Sequence, residues 1–438
     1  MSRTDLLTRL LYPTPTEPPE PVHPGLYHYM RSSDQEEYSE GAYTRFHLRV
    51  DPGGSGLLLA NASAALHLSP SGVVIAKGLL EDLDDEAIIA RLKGSFQGAS
   101  QETMEADLER VAASIASLVA PGDNYPVMNL EDSAISPYNA ALMAPFQADV
   151  VVSSLPELIP IVDRLWRANI PHVTFLLQPK VDPDTLIRAV ERAEDLGMIA
   201  GVRARATSLS KSKLLDRMAL VGLDHCCLLF AAADASIHDA LCGDGDYAVA
   251  LDLFEQIRAN EVAPVAEVPL LGSTVAALET ALDQLQQIDV RNVNFLVMVA
   301  ENDMPAEHRA DSLLASSLPQ IADLIEEMAA EMDVRFIWQP PVQRDPALTI
   351  PQQVQLGPRC TADVSIRVEP NGDVLPPRGA HVAAGNLLQD DWDEIWANPA
   401  FVRYRERVES PTHCEECPGL AICAADCPRE RSGWSLSA

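Results

Sequence analysis

Three neighbouring stretches carry the most specific pattern in the chain: residues 360–377, CTADVSIRVEPNGDVLPP; residues 392–408, WDEIWANPAFVRYRERV; and residues 413–428, HCEECPGLAICAADCP. The first predicts a β-hairpin, because Asn371-Gly372 between two apolar runs accepts the positive φ of a tight turn. The second predicts a helix on which Trp392 and Trp396, four residues apart, share a packing face. In the third, Cys414, Cys417, Cys423 and Cys427 follow a C-x2-C-x5-C-x3-C spacing that two turns and a short helix can fold onto one metal. Zinc would close such a site as a tetrahedral tetrathiolate, whereas iron would require a cluster. Of the eight cysteines none precedes Cys226, and five lie between Cys360 and Cys427. A disulfide framework spreads through a small secreted domain, so this crowding points to metal binding.

Working toward the N-terminus, residues from about 126 to 345 alternate short apolar runs with amphipathic helices. VMNL, HVTFLL, IAGVRARA, HCCLLFAAA, APVAEVPLL, VNFLVMVA and VRFIWQPP read as strands. LPELIPIVDRLWRAN, DTLIRAVERAEDLGM, KSKLLDRMALVGL, YAVALDLFEQIRANE, TVAALETALDQLQQI and LPQIADLIEEMAAEM read as helices. Repeated βαβ units of this kind predict a parallel sheet, and about six of them suggest a partial barrel or an open sheet. Before the joint APGDNYP, residues 43–121 predict a smaller unit. FHLRVDP, the turn GGSG and LLLANASAALHLSPSG read as two strands and a helix entry. VVIAKGLLEDL running into DDEAIIARLKGSF, and then TMEADLERVAASIASLVA, are helical, with Asp84 and Asp85 placed to cap. Residues 1–42 are proline-rich and read as an arm.

The terminal pattern resembles the SPASM domain of radical SAM enzymes. Cys360, eleven residues, Gly372, a short strand, Gly385-Asn386, WDEIW and the cysteine cluster follow its order over residues 360–428. That resemblance implies two auxiliary iron–sulfur clusters on seven cysteines, with two departures: Pro377 occupies the second cysteine position, and the ending GWSLSA offers no final one. Metal sites are therefore expected among Cys360, Cys414, Cys417, Cys423 and Cys427. Three states remain open: a [4Fe–4S] cluster on Cys414, Cys417 and Cys423 with a substitute such as His413, a rearranged zinc or cluster site, or a metal-free reduced knot.

With that anchor, the middle segment is similar to a radical SAM partial (β/α)6 barrel. The family's GGEP, which contacts the amine of S-adenosylmethionine, falls on Leu176-Leu177-Gln178-Pro179, and its CxxxCxxC falls within LEDSAISPYNAALMAPF, which holds no cysteine. His238-Asp239 falls where relatives carry an HD pair. Residues 43–121 resemble the PqqD-like RiPP recognition element, a winged helix that captures leader peptides by strand addition. Together these resemblances imply a pseudoenzyme. It would bind a leader or substrate peptide through residues 43–121, with an active radical SAM homologue as a partner, no catalytic residues of its own, and S-adenosylmethionine not expected as a cofactor. The alternative is an enzyme with replaced chemistry at the barrel mouth, lined by Gln178, Asp132 and Asp239, or electron transfer through a surviving auxiliary cluster.

Several other features carry ordinary expectations. Cys226 and Cys227 face opposite sides of one strand, which predicts core packing. His238-Asp239 is best explained by helix capping, and GDGD at residues 243–246 by a turn. His172 and His225 stand at strand starts, where loop hydrogen bonding is expected, and Cys242 has nothing basic nearby to activate it. A net charge of −32 argues against nucleic acid as a partner, since phosphate binding needs a basic surface. No apolar run is long enough for a membrane span and no signal-peptide core is visible, so the cytoplasm is the expected location.

Overall fold

The computed structural model describes residues 22–32, 43–60, 66–96, 98–119, 142–152, 154–178, 181–300, 303–332, 334–339, 342–361, 365–377 and 381–401. The chain divides into two compact units, Met1–Asp123 and Asn124–Ala438. Among the described residues no helix is long and apolar enough to cross a membrane.

In the first unit an antiparallel sheet runs β1 (Gly25–Ser32), β2 (Tyr43–Val50), β3 (Gly56–Ala60) and β4 (Leu66–Leu68), followed by helices Pro70–Leu80, Asp85–Ser95 and Gln101–Val119. Phe46, Leu48, Val50, Leu58 and Ala60 on one sheet face pack with Ile75, Ile88, Leu92, Leu108 and Val111 from the helices. Local chemistry sets the helix starts. Ser69 accepts from the Gly72 N–H with Pro70 in the first turn, and Asp84 accepts from the Ala87 N–H at 2.8 Å. The two helices part at Asp82, whose φ is 56°, just before the expected cap at Asp84. The break lets the two helices fold back on each other at Gly78, where a Cβ would lie 2.7 Å from Ile88 Cγ1.

Two strands here differ from the sequence reading. LLLANASAALHL supplies both β3 and β4 rather than one strand. More consequentially, β1 lies within the proline-rich stretch read as an arm, and it pairs with β2 from Gly25↔Val50 to Ser32↔Tyr43. Tyr27 and Tyr29 face the helical core, where the Lys77 ammonium sits 4.9 Å from the Tyr27 ring centre and the Tyr29 hydroxyl donates to Glu81.

The second unit is α/β. Six parallel strands neighbour one another in sequence order: β5 (Gln147–Val151), β6 (His172–Leu176), β7 (Ile199–Ala204), β8 (His225–Leu229), β9 (Ala263–Leu270) and β10 (Asn292–Ala300). Helices connect them. One face of the sheet, with Val150, Val173, Phe175, Val202, Leu228, Val268 and Phe295, joins Leu158, Ile161, Leu165, Leu186, Val190 and Phe254 of those helices in one core. Three short strands, β11 (Leu313–Leu314), β12 (Arg335–Trp338) and β13 (Val342–Gln343), pair in parallel with β10.

The first described parallel strand is QADVV, not VMNL, which lies outside the described residues. LEDSAISPYNAALMAPF stands directly before this strand in the chain, and the next described helix after β5 is Leu155–Arg167. The other edge of β5 pairs in parallel with β14 (Ser365–Val368), from Ser365↔Gln147 to Val368↔Val150. The sheet continues through β15 (Asp373–Leu375) and β16 (Gly385–Asn386), both antiparallel. The expected hairpin is present, with Gly372 at φ +90° in its turn. Both tryptophans of helix Trp392–Trp396 are stacked, and their indole N–H groups donate to the carbonyls of Met143 and Leu142. The terminal segment thereby fixes the chain entering β5.

Replacing the cap by Asp84→Ala is expected to cost the first unit about 1 kcal/mol. Hydrogen exchange of residues 85–95 in the full chain checks this, and unchanged protection would refute the cap's contribution.

Candidate functional site

Alternation along the parallel strands sends Gln147 and Asp149, His172 and Thr174, Arg203, His225 and Cys227, Glu267, and Asn292 and Asn294 to the face opposite the helix-packed core. All ten are buried. A buried polar face calls for hydrogen-bond partners, and most of its groups find them in two clusters and a histidine pair, whereas His172 Nδ1 and Asn294 Oδ1 are left without one.

In the first cluster, the Arg203 guanidinium forks onto Glu267, with Nε donating at 2.9 Å and Nη2 to the second oxygen. Gln339 Nε2 also donates to Glu267 at 2.9 Å. Burial alone would lower the Arg203 pKa, but the Glu267 charge and its hydrogen bonds outweigh this and push it up. Beside the pair, burial pushes the Cys227 thiol up, and the Glu267 charge adds to the effect. Cys227 is thus a protonated core thiol, contacted by Asn294 Nδ2 at 3.9 Å, while Cys226 lies in the helix-facing core.

In the second cluster, Asp149 accepts from Thr361 twice, from its N–H at 2.6 Å and its hydroxyl at 2.5 Å. Gln147 Nε2 donates to Thr361 Oγ1, Thr174 Oγ1 and Asp149 Oδ1. Burial pushes the Asp149 carboxyl up to about 6, against the downward pull of the bonds from Thr361 and Gln147.

His172 and His225 meet edge to face, their Nε2 atoms 3.4 Å apart. Burial holds His172 well below the usual histidine value, with His225 adding to the effect, and lowers His225 to about 4. The pair is neutral, one ring donating and the other accepting. Gly201 makes room for it, since a Cβ there would lie 2.0 Å from His225 Nε2. This replaces the expectation of loop hydrogen bonding for both histidines.

The other candidates separate. Leu176 is buried at the end of β6, Leu177 and Gln178 are half-buried, and Pro179 and Asp132 lie outside the described residues. Asp239 accepts from the N–H groups of Gly245 and Tyr247, so it caps the helix Asp246–Ala259 and does not line a mouth. His238, Cys242 and Asp246 bring ligand-type atoms within 4.8 Å of one another, all buried. The Ala231 N–H donates to His238 Nδ1, which puts the imidazole proton on Nε2, facing Asp246 Oδ2 at 3.3 Å. With Nδ1 accepting and Nε2 protonated, the ring has no lone pair free for a metal. The trio staples two helices.

Cys360 is fully buried next to Thr361. Burial pushes its thiol up and the nearby Asp149 charge adds to this, so the thiolate forms only where a cation offsets both. The five thiols make a soft donor set that suits zinc or an iron–sulfur cluster. Cys414, Cys417, Cys423 and Cys427 lie outside the described residues. Sequence reasoning found Cys360 but missed Asp149, Arg203 and Glu267, whose only local signal was charge within otherwise apolar strands, and Thr361, a loop residue with no local signal.

The sequence pattern of the SPASM family, described as an iron-sulfur cluster-binding domain, matches residues 360–418. Among solved structures, that of Streptococcus suis SuiB bound to S-adenosylmethionine superposes with a TM-score of 0.54 at 12% identity, over 94% of this chain and 99% of that one. SuiB bound to its precursor peptide SuiA gives 0.52 at 14% identity, over 88% and 95%. The second unit therefore has an α/β fold with a parallel-strand sheet like that of SuiB, followed by a region that matches the SPASM pattern.

Two outcomes follow from the buried charges. Glu267→Leu leaves Arg203 unpaired, with an expected loss of about 3–5 kcal/mol, measured by chemical denaturation; a loss below 1 kcal/mol would show the pair to be solvated. The pH dependence has opposing parts. His225 loses stability as pH falls from its unfolded value toward about 4, because the native state resists the proton. Asp149, with its native pKa raised to about 6, contributes stability when protonated, and this is lost as pH rises through 6. The two offset each other between these values. Asp149→Asn removes the compensation, so its melting temperature should fall more between pH 7 and pH 4.5 (roughly the window set by these two groups) than that of the unaltered chain. Parallel curves would refute a buried titrating carboxylate.

Proposed function

We propose that this chain is a radical SAM/SPASM-type scaffold that binds a leader or substrate peptide in ribosomal peptide modification and does not itself cleave S-adenosylmethionine. One observation carries the reading. No cysteine precedes Cys226, and only three residues separate β5 from the next helix, so no CxxxCxxC follows the first described parallel strand. Reductive cleavage requires a [4Fe–4S] cluster on three thiolates with one open iron, and the serine, tyrosine and asparagine side chains of LEDSAISPYNAALMAPF are not soft ligands for such a cluster. Leu176-Leu177-Gln178-Pro179 likewise lacks the glutamate of the GGEP that meets the amine of S-adenosylmethionine. An active homologue supplies the chemistry and is the expected partner.

Peptide binding is assigned to residues 43–121, by strand addition at a sheet edge. The sheet of the first unit ends in β1 on one side and β4 on the other, and the structurally similar SuiB is described bound to its precursor peptide. The C-terminal cysteines hold an iron–sulfur cluster or zinc as a structural centre.

A second reading, replaced chemistry on the polar face of the sheet, is favoured by Asp149, since a buried carboxyl with a raised pKa is a common mark of acid–base sites. Anaerobic incubation with S-adenosylmethionine and a strong reductant separates the two. The scaffold reading expects no 5′-deoxyadenosine above the protein-free control, and stoichiometric release would sink it. Peptides selected on the full chain from a displayed random library should protect amides of residues 43–121 from exchange; protection confined to the second unit would count against the assigned site. Metal analysis that finds iron with matching sulfide would support electron transfer, and zinc would favour a structural knot.

A further inference from the structure

Residues 355–361, at and after the end of the helix Ile350–Leu356, are tied at both ends to side chains on the polar face of the parallel sheet. At its start, Arg203 Nη1 donates to the Gln355 carbonyl at 3.4 Å, and Gln355 Nε2 donates to the Leu241 carbonyl at 2.9 Å. Gly357 lies directly over the guanidinium. Its φ is +76°, and a Cβ at this position would be 2.2 Å from Arg203 Nη2. At the far end, Thr361 gives both its N–H and its hydroxyl to Asp149 while Gln147 donates to the same hydroxyl oxygen. Between these anchors stands Cys360, fully buried, the first residue of the SPASM match.

We infer that Asp149 and Arg203 are positioning residues for Cys360: the polar face of the sheet is a clamp that holds the 355–361 strap so that this thiol has one fixed place. The chemistry of the contacts supports a clamp. Both Asp149 oxygens are taken by one residue of the strap. Both edges of the Glu267 carboxylate are taken by Arg203 and Gln339, which fixes the guanidinium under Gly357. Charge-assisted bonds of this kind are short, directional and costly to leave unmade once buried. The Cys360 thiol also meets Ser365 at the start of β14, and the strap residues on both sides of it are anchored to the sheet. Asp149 comes from β5 and Arg203 from β7, so the thiol's position is referred to two strands of the sheet rather than to its own loop. The inference stands independently of whether the chain cleaves S-adenosylmethionine.

The test is maleimide labelling of the full-length, chelator-treated protein, followed peptide by peptide by mass spectrometry. Cys226, equally buried but in the helix-facing core, serves as the internal reference. Asp149→Ala and Gly357→Ala break opposite ends of the strap, the second by driving a methyl group into the guanidinium. Each should speed labelling of Cys360 by at least about tenfold, as a lost buried charged contact raises local opening, with Cys226 unchanged. Asp149→Asn, which can still accept from the Thr361 N–H and donate to its hydroxyl oxygen, should restore most of the protection. If Cys360 fails to outpace Cys226 in the two alanine variants, because neither changes or because both rise together, the clamp is overturned.

Discussion

The parallel sheet of the second unit depends on how it satisfies a buried polar face. A strand with Gln147 and Asp149 on one side and Ala148 and Val150 on the other can be buried on both faces only if the polar side finds partners. Those partners come from Thr361, 212 residues away along the chain, and from Thr174 on the neighbouring strand. The same loop then delivers β14 to the free edge of β5. One set of hydrogen bonds thus buries two polar side chains, closes a sheet edge that would otherwise offer unpaired N–H and C=O groups, and joins the C-terminal hairpin to the parallel sheet. Trp392 and Trp396 complete the arrangement by holding the carbonyls of the segment that enters β5.

The legibility of each element in the sequence follows from how local its cause is. The amphipathic helices and the strands β6 to β10 were readable because apolar residues repeat within a short window. The Asn371-Gly372 hairpin and the Asp84 cap were readable because two or three residues determine them. β5 was not, because its inward positions are polar and it lies next to a helix start, so it reads as a loop with a few valines. β1 was hidden for a related reason. In GLYHYMRS the tyrosines face the core and His28 and Met30 face away, but the alternation is short and follows directly on a run of prolines. VMNL, read as the first strand, lies outside the described residues, so β5 is a strand that the reading lacked and leaves that expectation as it stood.

The polar face itself was the least legible feature. Arg203 and Glu267 are 64 residues apart, and neither sits in a recognisable motif. A single arginine in the strand IAGVRA and a single glutamate in APVAEVPL signal only that each strand carries one charge that must be answered. The glycines give the clearest retrospective clue. Gly201 and Gly357 lie where an imidazole and a guanidinium pass so close that no Cβ fits.

The state of this face bears on the choice between scaffold and replaced chemistry. An acid–base site needs a titrating group free to exchange its proton with a substrate. Here the carboxylate of Glu267 is fully engaged by a guanidinium and an amide, and both oxygens of Asp149 accept from Thr361. Releasing either would uncover a buried charge, at a cost of several kcal/mol. The raised Asp149 pKa has a sufficient cause in burial alone, without any catalytic demand. Cys227, beside the Arg203–Glu267 pair, is held protonated by the same burial and by the Glu267 charge. A face whose charged groups are spent on one another and on the 355–361 strap is organised to fix a thiol in place, which is the property a scaffold with a structural metal centre requires.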